Sequence, residues 1–182
     1  MLHIKKEELI INAWSGGTTT QLYIYPKESL YKNLDFSFRI STATIDVEES
    51  SFTTLPNVNR TLMILNGEIT IQHQNKYSKQ LKKFDTDTFN GEWQTSSIGK
   101  ATDFNVMIRG AAIGSAQGFS LKENQQKEIN DNDDFLLLYV YSGKIEANNF
   151  IANQGDVLVF EKEKISIQAI TSSDIALATI KL

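Results

Sequence analysis

Six stretches of this chain alternate in character along the backbone or are crowded with β-branched and aromatic residues. They are QLYIYP, DFSFRISTATIDV, RTLMILNGEITIQ, TDFNVMIRG, DFLLLYVYSGKIEA and DVLVFEKEKISIQAI. A period of two sends successive side chains to opposite faces, which suits a half-buried strand and not a helix. Between the runs stand Gly, Asn, Asp and Ser, the residues of tight turns, and no long helical spacing. Only KEELI and YPKESLYKN leave room for short helical turns. Pro26 and Pro56 fall at strand ends, where a missing N–H costs little. The fold class that follows is all-β, sandwich or barrel, with few short helices.

The strand pattern also repeats. LMILNGEITIQ and LLYVYSGKIEA both run from an apolar strand into Gly, a charged residue and Ile, with Gly67 and Gly143 76 residues apart. Downstream, TDFNVMI has a counterpart in SDIALAT, which pairs Asp103 with Asp174 at a separation of 71. A near-constant offset implies two copies of one β unit. Residues 1–111 would form the first, with extra N-terminal strands, and residues 112–182 the smaller second, closely packed into one structural whole. The polar tract SLKENQQKEINDNDDF lies where the second copy begins and reads as a surface connection. Within that copy, GKIEANNFIANQGDVLVF resembles the cupin layout of strand, Gly turn, strand, Gly-Asp turn, strand. Two such units imply a bicupin, with two cupin-like β-barrels or sandwiches in one chain.

Composition narrows the function. With 41% apolar residues in 182, the chain can bury a proper core. A net charge of −4 with mixed signs fits a soluble protein and leaves no basic footprint for nucleic acid. Without cysteine there is no disulfide framework and no thiolate chemistry. The opening MLHIKKEELI has too short an apolar run for a signal peptide or a membrane span. The expected location is cytoplasmic, with neither nucleic acid nor membrane as partner.

Little in the chain offers catalysis. The metal-dependent cupins gather several imidazoles around one ion, and this chain has only His3 and His73, both read as exposed. No metal and no cofactor are expected. DTDTFNGE lacks the glycine and spacing of a calcium loop, and no Gly-x-Ser-x-Gly occurs. No lysine follows the glycines of AWSGGTTT, so this is not a phosphate loop; it reads either as a plain turn feeding the next strand or as a turn that sets Trp14 and backbone N–H groups at a pocket mouth. A metal-free enzyme would need a general acid–base group. Asp103 and Asp85 are the candidates, with Tyr23 and Tyr25 weaker, and no pair stands out by spacing.

The strand DFSFRISTATIDV is more telling. Alternation puts Phe36, Phe38 and Ile40 on one face and Ser37, Arg39, Ser41 and Ala43 on the other. Small neighbours leave space beside the guanidinium, as at a bidentate carboxylate or phosphate contact, although a solvent-facing arginine fits the same pattern. TDFNVMIRG splits likewise, with Phe104, Val106 and Ile108 opposite Asp103, Asn105, Met107 and Arg109. Arg60 stands just ahead of another strand.

NAWSGGTTTQLYI, FSFRISTATID, SSFTTLPNVNRTLMILNGEI, FNGEW and TDFNVMIRG, in this order within residues 12–110, resemble the successive motifs of the HutD/Ves family. The resemblance implies a bicupin whose first barrel holds a small metal-free pocket. It further implies a link to histidine utilisation or environmental stress, a regulatory role, and a small acidic metabolite such as formylglutamate as ligand. By motif position the ligand-binding residues would be Trp14, Gly16, Gly17, Thr18, Arg39, Ser41, Arg60, Asn105 and Met107. No enzymatic activity attaches to the family. Two other readings stay open: a metal-free enzyme acting on a small acid or sugar, and an oligomeric interaction module, for instance a homodimer, without a ligand.

Overall fold

A computed structural model describes residues 1–129 and 133–182. Among them are nineteen strands and two short 3-10 turns, Lys6–Glu8 and Tyr31–Asn33, which fall within the two stretches that leave room for helical turns. The first eleven strands are β1 (Leu2–Ile4), β2 (Ile10–Trp14), β3 (Gly17–Tyr25), β4 (Phe38–Ile45), β5 (Glu49–Ser51), β6 (Asn59–Gly67), β7 (Ile69–His73), β8 (Tyr77–Leu81), β9 (Thr86–Asn90), β10 (Thr95–Ile98) and β11 (Ala101–Ile108). The remainder are β12 (Ile113–Leu121), β13 (Gln126–Ile129), β14 (Phe135–Ser142), β15 (Lys144–Ala147), β16 (Phe150–Asn153), β17 (Val157–Glu161), β18 (Ile165–Ala169) and β19 (Ser173–Lys181). Each of the six alternating stretches lies on one or two of these strands. The fold is all-β, as its alternation requires.

The strands form four sheets, in the orders β2-β3-β4-β11-β6-β9, β5-β10-β7-β8, β1-β17-β14-β19-β12 and β13-β18-β15-β16. The run β4-β11-β6-β9 in one large sheet matches β12-β19-β14-β17 in the other. Gly67 and Gly143 take equivalent positive φ values, 81° and 84°, at the turns leaving β6 and β14. The repeat is therefore structural. The pairing of Asp103 with Asp174 is one residue out, however. A register shift at Thr102/Asp103 matches another at Val140/Ser142, so that Asp103 is opposite Ile64 and Ile175 opposite Val140. Asp103 thus corresponds to Ile175, and Thr102 to Asp174.

The two large sheets pack face to face. Phe38, Ile40, Phe104 and Val106 from one meet Phe135, Leu137, Val157 and Ala176 from the other in a single cluster. Phe38 and Phe104 are completely buried there, and truncating either to alanine should cost about 3–5 kcal/mol. The outer face of each large sheet covers a smaller sheet: Leu62 and Ile64 over Ile69, Ile71 and Leu81, and Leu136, Leu138 and Ile175 over Ile145, Ile165 and Ile167. Arg39, Ser41, Asn105 and Met107 alternate with the first face and so belong to the second.

Two expectations need correction. Phe36 precedes β4 and does not share a face with Phe38; it packs with Ile24, Leu55, Val58 and Met107. The tract read as a surface connection contains β13, paired with β18. Residues 130–132 of that tract lie outside the described residues.

Candidate ligand site

The face of the first large sheet turned away from the second large sheet carries a buried polar cluster assembled by strand register. On β4 and β11, Arg39 is opposite Met107 and Ser41 opposite Asn105; on β11 and β6, Met107 is opposite Arg60. Two arginines therefore flank one methionine from neighbouring strands, about 9–10 Å apart by strand spacing. Gln21 joins them from β3, opposite Ser41.

The two guanidiniums differ in what holds them. Arg39 donates from Nε to Gln21 Oε1 at 2.9 Å and from Nη1 to Ser41 Oγ at 3.0 Å, with the Tyr31 ring 4.3 Å away. Arg60 sits between Phe52 and Phe89, 5.1 and 5.3 Å from their centroids, and its Nε is buried without an acceptor. Among the described residues neither arginine has a carboxylate within ion-pair distance. Both are buried, at 5% and 6% exposure, and that burial lowers both their pKa values. An arginine nonetheless stays charged in a protein. A buried, unpaired charge is costly and is normally matched by a partner.

The nearest opposite charge is incomplete. Asp103 is 4% exposed, and burial pushes its carboxyl up to about 7 against the pull of Arg60 and the Ala43 backbone N–H. Its Oδ1 has no hydrogen-bond partner, and neither has Asn105 Oδ1. Two cations and two bare acceptors thus share one interior face.

The second half supplies an internal control. Through the matched registers, Arg39 corresponds to Ser115, Arg60 to Leu136, Asp103 to Ile175, Asn105 to Leu177 and Met107 to Thr179. Leu136, Ile175 and Leu177 belong to an apolar core. The fold alone does not demand charge at these positions.

Four residues expected at the pocket lie elsewhere. Trp14 is opposite Gly17, leaving Ser15 and Gly16 as a two-residue hairpin turn. Gly17 and Thr18 are opposite Ile45 and Thr44, which places them about 17–20 Å along β4 from Arg39. Trp14 is 40% exposed with its ring over Gly16, and a Cβ on Gly17 would overlap the Thr44 carbonyl oxygen. The AWSGGTTT segment is a hairpin turn made by close backbone approach. Gln21, Tyr31, Phe52 and Phe89 join the cluster without any sequence signal; a bulge at Gln21/Tyr23 breaks the alternation that would place Gln21.

The histidines also depart from expectation. His73 is buried, with Nδ1 2.8 Å from Thr95 Oγ1 and Nε2 2.8 Å from Asp87 Oδ2. His3 is half-buried against Asp156 Oδ2 at 3.1 Å. An open groove of about 780 Å³ runs past Phe52, His73, Tyr77 and Thr95. None of its walls carries an arginine or a buried polar atom lacking a partner, so the arginine cluster is the better candidate. Among the described residues, no group of three His, Asp or Glu is placed to hold a metal ion, and no helix is long and apolar enough to cross a membrane.

Comparison with known proteins fits this architecture. The HutD family model matches residues 6–177. HutD from Pseudomonas fluorescens SBW25 (formate condition) superposes with a TM-score of 0.76 at 16% identity, covering 99% of this chain and 97% of that one. The conserved protein of unknown function PA5104 from Pseudomonas aeruginosa PAO1 gives 0.82 at 15%, covering 100% and 98%. A cupin 2 conserved barrel domain protein from Leptotrichia buccalis gives 0.57 at 13%, covering 99% and 96%. No curated protein matches by sequence. The fold is of the cupin type, built here as paired open sheets.

Proposed function

We propose, from the premise that this chain belongs to the HutD family, that it binds a small carboxylate between Arg39 and Arg60 and serves as a regulatory ligand-binding protein. The observation that carries the reading is Arg60, a buried guanidinium whose Nε has no acceptor and which has no carboxylate partner among the described residues. A ligand carboxylate would supply both. Arg39 is already oriented by Gln21 and Ser41, and Met107 stands in register between the cations with its sulfur 3.8 Å from Arg39 Nη1. Pockets of this kind combine apolar walls with a few convergent polar groups. Formylglutamate, glutamate, urocanate, histidine, formate and sugar acids form the panel to test.

A ligand present at a hundred times its dissociation constant adds about 2.7 kcal/mol to stability. For a domain of this size that raises the melting temperature by roughly 5–10 °C. Loss of that shift in Arg39→Ala and Arg60→Leu, with the fold retained, is the expected outcome. A shift unchanged in both variants moves the site elsewhere.

Asp103 favours one other reading. A buried carboxyl with a pKa of about 7 suits a general acid–base group. A metal-free enzyme working on the bound acid would consume its ligand, and Asp103→Asn would stop it. Intact ligand after prolonged incubation argues for binding alone.

A further inference from the structure

The arginines account for the anionic end of a ligand; Asp103 and Asn105 say something about the other end. Along β11, Met107, Asn105 and Asp103 share one face at about 6.6–6.8 Å per step, leading away from the row of cations. The neighbours of Asp103 across the strands are Ala43 and Ile64, neither with a side-chain donor. Ala43 offers the carboxyl only its backbone N–H. Its Oδ1 and that of Asn105 are buried and empty-handed, and an acceptor left so forfeits its hydration without compensation. The equivalent positions in the second half are Ile175 and Leu177, so the acceptors are not an architectural need.

Resting on the carboxylate reading above, we infer that the ligand carries an N–H or O–H donor beyond its carboxylate, and that Asp103, with Asn105, selects for it. A second anionic group directed at Asp103 would meet a carboxylate and an acceptor oxygen. The class is therefore an amino, amido or hydroxy acid, in preference to the unsubstituted acid.

Calorimetric titration with four acids of one chain length tests this: butyrate, 4-hydroxybutyrate, 4-aminobutyrate and succinate. The hydroxy and amino acids should bind roughly tenfold or more tighter than butyrate, the worth of one hydrogen bond to a charged group. Succinate should show no such gain. In Asp103→Ala the advantage should fall below about threefold while butyrate affinity holds. Asp103→Asn keeps the shape and an acceptor, so it should remove the extra gain of the ammonium and spare that of the hydroxyl. Equal binding of all four by the native protein, or an advantage for succinate, overturns the inference and leaves the carboxylate reading standing. An advantage that survives in Asp103→Ala overturns the role of that residue. If none of the four binds and the wider acid panel also fails, the carboxylate reading itself falls.

Discussion

Arg39 and Arg60 are each in register with Met107, one from either neighbouring strand, so that two buried cations lie on one sheet face with a thioether between them. Neither has a carboxylate partner among the described residues, and Arg60 Nε has no acceptor.

Replacing Arg60 by leucine, the residue its counterpart Leu136 already is, should stabilise the free protein. It removes a buried charge whose Nε has no acceptor, a desolvation cost set against its attraction to Asp103 and its place between Phe52 and Phe89. Urea denaturation measures the change. A variant less stable than the native protein would mean that Arg60 is satisfied in solution.

Asp103 should make the free protein less stable as pH rises. Its folded pKa is about 7, against about 3.9 in an unfolded chain. Below about pH 4 it is protonated in both states and costs nothing; above 7 it is ionised in both and the full burial cost is present. Stability from this group therefore falls between about pH 4 and 7, by something on the order of 4 kcal/mol. Asp156 is buried, which raises its pKa, yet the Asn153 and Lys6 backbone N–H groups outweigh that and hold it below the usual range, so its contribution is lost only at lower pH. Melting curves from pH 5 to 8 should slope downward for the native protein and flatten in Asp103→Asn.

How much of this was legible in the sequence depends on whether local alternation survived. It did on β4 and β11, so it can be read directly that Arg39 goes with Ser41 and Asn105 with Met107; that the two pairs share one face follows only from the pairing of the strands. It failed at bulges. The shift beside Asp103 hid its true counterpart, Ile175, and the one at Gln21/Tyr23 hid Gln21. Phe36 was misplaced because β4 starts two residues later than its aromatic run. The burial of His73 depends on Thr95 and Asp87, brought from separate strands, which no single-strand pattern reveals. Trp14 and the glycines lie at the far end of the sheet, a distance visible only once β3 is paired with β4.

His73 should matter for stability and not for ligand choice. Its truncation to alanine removes two hydrogen bonds and leaves Asp87 buried with only Tyr77 and the exposed Lys79, 3.7 Å away, for partners. A loss of about 3–5 kcal/mol is expected for breaking such a buried pair. Denaturant titration reads the loss, and titration with a carboxylate should return a nearly native affinity.

Gly17→Ala separates the hairpin from the site. Its φ of 154° and the Thr44 carbonyl leave no room for a side chain, so a cost of about 1–3 kcal/mol follows. With Gly17 far from Arg39, ligand affinity should be unchanged in the fraction that folds. A selective loss of binding would return the WSGG turn to the site.

The most direct measurement is calorimetric titration of the native protein and Arg60→Leu, side by side, with the small-carboxylate panel. Saturable one-to-one binding of at least one acid by the native protein, abolished in a folded Arg60→Leu variant, is the result expected of an anion site built on this arginine. Equal binding by both proteins, or none by the native protein across the panel, would contradict it.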